Sequence, residues 1–364
     1  MSNVKDYKNL IAFHPGYYIK EVIESLGITQ EEFAKRLDTT GKNISKLVNG
    51  EQNLSLDMAR KLSNMLGTDI EFWLNLQNSY EVKLAEMQEQ EEMDAEICVL
   101  KSINYKYFCD NFGLPEYKGK LNEKVKALRR LLKVSSLSLL KKEDLLVSFR
   151  AASLRMTEKN IINSNIMLQL AMDEACNTDA PRYNEQKLKG AIDELLTLTV
   201  KRPSEFYPKM KELLHEAGVI LVILPHLPNS GVNGAVKKVG NNVMLMINDR
   251  RTYADTFWFS FFHEIGHIVN GDFQISFEKN AKNDEIENRA DEYAREKLIP
   301  EEKYRDFLKM HIFDEQAIKT FAKEIDRPPG IVVGRLQNDT KVEHNSKLNC
   351  LKEKYKIGIS KQGN

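Results

Sequence analysis

The chain has 364 residues, enough for two or three domains of ordinary size. Lysine and arginine together number 53, as do aspartate and glutamate, so bulk charge does not attract nucleic acid and any DNA contact must come from a local surface. The four cysteines are scattered without a CxxC pair, which argues against a disulfide framework or a thiolate zinc site.

Both the N-terminus and the apolar runs predict a soluble cytoplasmic protein with no membrane partner. The first ten residues, MSNVKDYKNL, carry charges and no apolar stretch, so we expect no signal peptide. The longest apolar run, Val219 to Leu224, is too short to cross a bilayer.

The first 80 residues predict five short helices. Thr29 and Glu32 match the S/T-x-x-E capping box that begins a helix. Gly27, Gly50 and Gly67 stand where helices are expected to end.

Two of these helices have the spacing of a helix-turn-helix. A helix from Gln30 to Leu37 is followed by a break over Asp38 to Thr40 and by a second helix that ends at Asn49 and Gly50. The second helix has one apolar stripe, which consists of Ile44, Leu47 and Val48. A helical bundle for protein contact is the alternative.

The outer face of the second helix is polar and has no acidic residue. Lysine can donate to guanine or phosphate, and asparagine can read adenine. Basic and acidic residues are nearly balanced over the first 80 positions, so tight binding would need a dimer. The candidate contacts to double-stranded operator DNA are Thr40, Lys42, Asn43, Ser45 and Lys46.

The segment from His14 to Gln77 resembles the HigA family of antitoxin repressors. The resemblance is carried by HPGYYIKEVIESLGITQEEFAKRL, by NISKLVNGEQNLSLDMARKLSNMLGTDI and by the closing EFWLNLQ. It implies a dimeric operator binder that represses its own operon and pairs with a HigB-like ribonuclease toxin. Gly41 departs from the expected pattern because it lowers helix propensity where the recognition helix begins. His14 is interpreted as a helix-entry or packing residue.

The middle of the chain predicts helices without a chemical motif. Glu81 to Glu96 is acidic and free of glycine and proline, so we expect a solvated connecting helix. From residue 101 to 218, apolar residues recur at three- and four-residue spacing.

After Gly218 the pattern changes to strands. GVILVILP and NNVMLMIND are β-type runs separated by turns that are rich in glycine and asparagine. A long helix from Thr252 to Asn270 follows, closed by Gly271, and a polar tail after Lys341 is expected to fray.

The long helix contains the motif HEIGH. His263 and His267 lie four residues apart on one face, where their ring nitrogens can hold one Zn²⁺ ion. Glu264 lies beside them and can act as general base on a water molecule bound to the metal. An apolar stripe places the motif on a packed helix: Trp258, Phe261, Phe262, Ile265, Ile268 and Val269.

A third ligand is expected from the segment EIENRADEYAREKLIP. Glu287 and Asp291 lie four residues apart, and we assign Glu287 as the metal ligand and Asp291 as the acceptor that orients one histidine. Three neighbouring acids, Glu285, Glu292 and Asp284, remain alternatives. A merely solvated acidic face is the remaining interpretation.

The C-terminal part resembles the ImmA/IrrE metallopeptidase domain from Lys201 to Asn338. The resemblance rests on GVILVILPHLPNSGVNGAV, FWFSFFHEIGHIV, ENRADEYAREKLIP and PPGIVVGRLQ. It implies regulated cleavage of a repressor or partner protein, and it supports Glu287 as ligand through the ExxAD arrangement. It also implies that NVMLMIN is the edge strand to which an extended peptide adds. No oxyanion group stands out among His226, His215, Tyr253 and Arg251.

These observations predict a mainly α, multidomain protein. We expect a helix-turn-helix domain over residues 1–80, a helical connecting region over 81–200, an α+β gluzincin-like metallopeptidase domain with a small sheet over 201–340, and a tail over 341–364. One hypothesis is a DNA-binding regulator that also cleaves a protein substrate. The other is a non-catalytic antitoxin whose zinc domain is a sensor or a scaffold.

Overall fold

The computed structural model describes residues 3–142, 157–248, 253–273 and 281–355, with side chains from residue 285 onward in the last range. The fold is mainly α, as predicted, and it contains two small sheets. The chain forms two compact units that divide between Ala95 and Glu96. In the part of the chain that the structure describes, no helix has the length and apolarity needed to cross a membrane.

The first unit begins with an antiparallel hairpin that the sequence analysis missed. Strands β1 (Val4–Tyr7) and β2 (Leu10–Phe13) pair with Tyr7 opposite Leu10. Lys8 in the two-residue turn has a φ of 52°, as hairpin turns of this length require. Both strands have only four residues and neither alternates cleanly, so period-2 patterning gives little signal.

Five helices follow the hairpin: α1 (Pro15–Leu26), α2 (Gln30–Arg36), α3 (Gly41–Val48), α4 (Leu56–Leu66) and α5 (Ile70–Leu100). Side chains of His14, Thr29, Thr40 and Ser55 cap the first four by accepting a backbone N–H of the first turn. Their apolar faces enclose one core that includes Ile19, Phe33, Ile44, Leu62 and Trp73.

Helix α5 has 31 residues, so the acidic segment from Glu81 to Glu96 is helical as predicted. The expected domain boundary at residue 80 falls inside this helix. Its inner face contacts the hairpin, because Ala12, Tyr80 and Met87 form a small buried cluster. Tyr7 and Lys8 bond to Asp94 near the end of this unit.

The second unit contains three strands and ten further α-helices in the described residues. The strands are β3 (Val219–Leu224), β4 (Gly234–Val239) and β5 (Asn242–Asn248). The helices are α6 (Tyr105–Phe112), α7 (Leu121–Leu132), α8 (Glu158–Cys176), α9 (Glu185–Thr197), α10 (Pro203–Glu216), α11 (Ala254–Asn270), α12 (Ala281–Leu298), α13 (Glu301–Lys309), α14 (Glu315–Glu324) and α15 (Pro329–Asn338).

The sheet corrects the expected role of NVMLMIN. Strand β5, which contains this segment, lies in the centre, parallel to β3 and antiparallel to β4. Six of its seven residues are buried, as a central strand requires. Strands β3 and β4 lie at the two edges of this sheet, and β4 was missed because Lys237 and Lys238 interrupt its short apolar pattern.

Helix α8 packs on the sheet and is buried around most of its circumference. It belongs to the second unit, although its residues lie in the expected connecting region. Three consecutive polar residues are completely buried, namely Asn163, Ser164 and Asn165. Their side chains bond to backbone groups: Ser164 accepts from the N–H of Gly231, for example, at 2.9 Å. Buried polar groups of this kind are tolerated because they are hydrogen-bonded.

The polar tail is packed as far as residue 355, where fraying was expected. Tyr355 is buried and its hydroxyl accepts from Trp258 Nε1 at 3.3 Å. Lys352 Nζ lies 2.7 Å from Asp255 Oδ2, and both side chains are nearly inaccessible to solvent. The remainder of the tail lies outside the described residues.

Candidate metal centre and DNA-binding helix

Helix α11 carries the HEIGH motif inside the core of the second unit. Trp258, Phe261, Phe262 and Ile265 are completely buried in a cluster of aromatic rings. The helix ends at Gly271, which adopts the left-handed conformation with a φ of 76°. The motif therefore lies on a rigid element, as a metal site needs.

The two histidines converge as their spacing predicts. His263 Nε2 and His267 Nε2 are 3.0 Å apart, and both side chains are buried. Residues separated by four positions share a helix face, which brings the two rings together.

The third donor comes from helix α12. Glu287 Oε2 lies 3.4 Å from His263 Nε2, and Glu287 Oε1 lies 3.6 Å from His267 Nε2. One donor atom of each of the three residues lies within 4.8 Å of the other two. Two imidazole nitrogens and one carboxylate are a donor set that suits zinc and leaves a fourth position open.

Small residues let α12 approach α11 this closely. A Cβ added to Gly266, in the middle of HEIGH, would lie 3.2 Å from the Cα of Ala290 and from the Cβ of Tyr293. Ala290 is completely buried at this contact. The glycine of the motif thus allows the helix packing that brings Glu287 to the histidines.

Asp291 orients one histidine. His263 Nδ1 lies 2.8 Å from Asp291 Oδ1, a hydrogen bond in which Nδ1–H donates. In the neutral ring this bond keeps the proton on Nδ1, so that Nε2, the atom that faces His267 and Glu287, is the nitrogen that can bind a metal.

Charge around His263 is strongly negative. Burial lowers the pKa of His263, but its hydrogen bonds to Asp291 and Glu287 and the charge of Glu264 outweigh burial and raise this pKa to about 9. Binding of a metal to the imidazole would therefore release a proton.

Glu264 is buried beside the histidines, with 7% of its surface exposed. Strand β4 lies against it, because a Cβ added to Gly234 would come within 2.5 Å of Glu264 Oε1. The sequence analysis missed Gly234, since no pattern links this glycine to a helix that begins after the next strand. Only the sheet brings the two together.

The described alternatives are not members of the three-residue cluster. Glu285 and Glu292 are exposed and are not part of the cluster, and the side chain of Asp284 lies outside the described residues, as does Arg251. His215 bonds to the carbonyl of Asp179, and Tyr253 lies against Lys352 and Lys354. His226 is half-buried in the loop that follows β3.

Helices α2 and α3 have the predicted helix-turn-helix arrangement in the first unit. Thr40 caps α3 by accepting the N–H of Asn43 at 3.2 Å. Lys42 and Lys46 are exposed, whereas Asn43 and Ser45 are half-buried. Asn43 Nδ2 also donates to Thr39 Oγ1 at 3.2 Å, so this amide is held locally. All five candidate residues lie on or next to one short helix.

Comparison with known proteins assigns each unit to a family. Residues 19–73 match the helix-turn-helix family, and residues 220–336 match the IrrE N-terminal-like domain of the M78 peptidases. The chain therefore belongs to the helix-turn-helix regulators through its first unit and carries an IrrE-like domain in its second.

Three curated relatives match stretches of 70 to 72 residues. Virulence-associated protein A' of Dichelobacter nodosus is 44% identical over 70 residues, which are 19% of this chain and 61% of that protein. The HTH-type transcriptional regulator YddM of Escherichia coli is 36% identical, with 20% and 77% covered. Antitoxin HigA-1 of Vibrio cholerae is 35% identical, with 20% and 68% covered. The chain thus spans less than two thirds of the first of these relatives.

A solved structure gives a similar match. The addiction module antidote protein of a HigA family from Coxiella burnetii is 30% identical. The match covers 23% of this chain and 92% of that chain, with a TM-score of 0.22.

Proposed function

We propose that this protein is a DNA-binding regulator that also acts as a zinc-dependent endopeptidase on a regulatory or partner protein. The observation that carries the peptidase part is the convergence of His263, His267 and Glu287, with the buried carboxylate of Glu264 close enough to act on the charge of His263. A purely structural zinc site has a closed donor set and no use for such a carboxylate.

In this proposal His263, His267 and Glu287 hold zinc, and Asp291 fixes the tautomer of His263. Zinc, when bound, supplies Lewis-acid polarisation of water and of the substrate carbonyl. Glu264 takes the proton of the attacking water as general base and then passes it to the leaving amine. Its burial strengthens this role, because electrostatic interactions are stronger where water is excluded.

We propose that the substrate is an extended peptide that pairs with strand β4. This strand forms an edge of the sheet, and its first residue lies against Glu264. An edge strand offers backbone donors and acceptors to a peptide. Strand β5 cannot serve because it is paired on both sides.

For the first unit we propose operator binding through α3 in a homodimer, with contacts from Thr40, Lys42, Asn43, Ser45 and Lys46. A DNA target implies a cytoplasmic location. The similarity to Antitoxin HigA-1 also favours a second candidate, a non-catalytic antitoxin and autorepressor with a HigB-like toxin partner, whose zinc domain is a sensor or scaffold.

Metal content tests the site first. We expect about one zinc per chain in the wild type, and loss or strong weakening of binding in Glu287→Gln, because one of three protein ligands is removed. Glu285→Gln, on the same helix but outside the cluster, is the matched control and should bind like wild type. Absence of zinc after reconstitution would overturn the metal assignment and leave the antitoxin candidate.

Turnover separates the two candidates. We expect the zinc-loaded chain to cleave casein or a second copy of itself, and Glu264→Gln to keep zinc but lose about 10²-fold or more in rate, the scale of general acid–base catalysis. Full cleavage by Glu264→Gln would contradict the mechanism. Zinc binding without any cleavage would favour the sensor or scaffold.

The recognition helix is tested by DNA binding. We expect the combined variant Lys42→Ala, Asn43→Ala and Lys46→Ala to abolish binding to the operator in a gel-shift assay, because it removes the charged and base-reading groups of α3. Lys20→Ala, exposed on α1, is the control. An unchanged shift for the combined variant would rule out α3 as the reading helix.

A further inference from the structure

A side chain on Gly234 would overlap the side chain of Glu264. A Cβ on Gly234 would lie 2.5 Å from Oε1, 2.7 Å from Cγ and 2.8 Å from Cδ of Glu264. Real Cβ atoms do not approach other heavy atoms this closely, so any side chain at position 234 requires a movement.

The backbone conformation does not explain the glycine. Gly234 is the first residue of β4, pairs with Ile247 of β5 and does not have a positive φ. Any L-residue can adopt such a conformation, and glycine weakens a strand because it has no side chain to pack. Close approach to Glu264 is the remaining physical reason for a glycine here.

The backbone at Gly234 is anchored and cannot easily move away. Asn248 donates from its backbone N–H to the carbonyl of Asn233 at 3.1 Å, and from Nδ2 to the carbonyl of Val232 at 2.6 Å. One position earlier, the N–H of Gly231 donates to Ser164 Oγ on the buried helix α8. The loop that enters β4 is therefore fixed to both a central strand and a core helix.

Glu264 is the group that can move. The three contacted atoms form the outer part of a flexible side chain, whereas its backbone belongs to the packed helix α11. A methyl group at position 234 would be accommodated by rotation of the Glu264 carboxylate out of its present position, at little cost to the fold.

We propose that Gly234 is a positioning residue: the absence of a side chain on the edge strand keeps the Glu264 carboxylate beside His263 and His267. This inference rests on the proposed role of Glu264 as general base. In this proposal strand β4 has two roles. It pairs with the peptide substrate, and its first residue leaves the space that the carboxylate of Glu264 needs.

The test is Gly234→Ala in the full-length protein. We expect zinc stoichiometry and affinity to match wild type, because none of the three ligands is touched. We expect kcat on casein to fall about tenfold to a hundredfold, part of the contribution of a general base, with a smaller change in KM. In a Glu264→Gln background, Gly234→Ala should cause no further loss, since the two substitutions remove the same function.

A second readout needs no turnover. In the cobalt-substituted protein, visible absorption can be followed as a function of pH. Gly234→Ala should shift the midpoint of this pH titration in the same direction as Glu264→Gln does. Gly190→Ala is the matched control, because Gly190 is exposed on α9 and a Cβ added there would meet no heavy atom within 4 Å. This control should leave both rate and spectrum unchanged.

The outcomes separate the two proposals. A Gly234→Ala variant with the wild-type spectrum and the wild-type rate would overturn the positioning role. If the wild type binds metal but cleaves nothing, the peptidase proposal fails, and the cobalt spectrum alone decides whether Gly234 positions Glu264. Loss of metal in Gly234→Ala would also count against the proposal, because the proposal predicts that the three metal ligands stay in place.

Discussion

Gly16 lies where helix α1 contacts the end of α3, the proposed recognition helix. A Cβ on Gly16 would lie 1.9 Å from the carbonyl oxygen of Leu47, which is a backbone atom and cannot rotate away. The preceding His14 is buried, and its Nδ1 accepts the N–H of Gly16 at 2.9 Å. Burial lowers the pKa of His14, which favours the neutral ring that can accept this bond.

We expect Gly16→Ala to lower the free energy of unfolding of the first unit by about 1–3 kcal/mol, because a methyl group forces α1 and α3 apart. Operator binding should weaken with it. Chemical denaturation and a gel shift measure the two effects. Gly41→Ala is the control: its Cβ would lie 3.4 Å from Glu31 Cγ, an ordinary contact, and alanine favours a helix. Equal stability of Gly16→Ala and wild type would contradict this account.

At the scale of elements, Glu96 joins three parts of the second unit. It lies at the C-terminal end of α5 and is completely buried. Its carboxylate accepts from Arg129 of α7, with Nε at 2.9 Å, and from the N–H of Leu137 at 2.8 Å. Burial raises the pKa of Glu96, but the bonds to Arg129 and Leu137 outweigh burial and lower this pKa below its ordinary value.

Because the pKa of Glu96 is lowered in the folded state, the contribution of Glu96 to the free energy of unfolding depends on pH. The ionised form stabilises the fold above the ordinary pKa of 4.5, and the stabilisation is lost as pH falls through the lower folded value. We expect Glu96→Gln to reduce the free energy of unfolding by about 1–3 kcal/mol at pH 7, because Arg129 loses its charged partner. The difference from wild type should shrink in urea titrations as pH falls below 4.5, because the carboxylate becomes protonated as pH passes through the lowered folded-state pKa.

Glu194→Gln is the matched control, because it removes a salt bridge that is exposed to solvent. Glu194 pairs with Lys209 at 3.4 Å, and both side chains are about half exposed. Such pairs contribute little, so this variant should stay within about 0.5 kcal/mol of wild type. A constant difference between Glu96→Gln and wild type across the pH range would show that the carboxylate does not titrate as proposed.

At the scale of the whole molecule, the two compact units are expected to respond to different ligands. The proposed metal ligands all lie in the second unit, and the proposed DNA contacts all lie in the first. A ligand that binds only the folded state stabilises the unit that holds it, by about 4 kcal/mol at roughly a thousand times its Kd.

We therefore expect removal of zinc with a chelator to lower the unfolding temperature of the second unit and to leave that of the first unchanged. Differential scanning calorimetry on the full chain measures both. Glu287→Gln with zinc present should behave like chelated wild type, whereas Gly16→Ala should lower only the transition of the first unit. A chelator effect on both transitions equally would contradict this assignment.

The candidate metal cluster was largely predictable because its members share short-range periodicity. His263 and His267 need only a helix to meet, and Glu287 and Asp291 need only one more helix to share a face. The packing of that helix on α11, at Gly266 and Ala290, was decided by the tertiary structure. The helix-turn-helix was predictable for the same reason, since capping residues and an apolar stripe act within a few positions. Local hydrogen bonding and the period of the helix thus determined α2, α3, α11 and α12 from the sequence itself.

Only the tertiary structure decided which strand is central, which helix lies under the sheet and which side chain lies against Gly234. Strand order depends on pairing between distant segments, and an apolar run such as β5 can be central or peripheral. The buried bonds of Glu96 to Arg129 and of Asp255 to Lys352 likewise join residues far apart in the chain. Sequence periodicity reports which face of an element is buried, whereas its partners are chosen by packing of the whole chain.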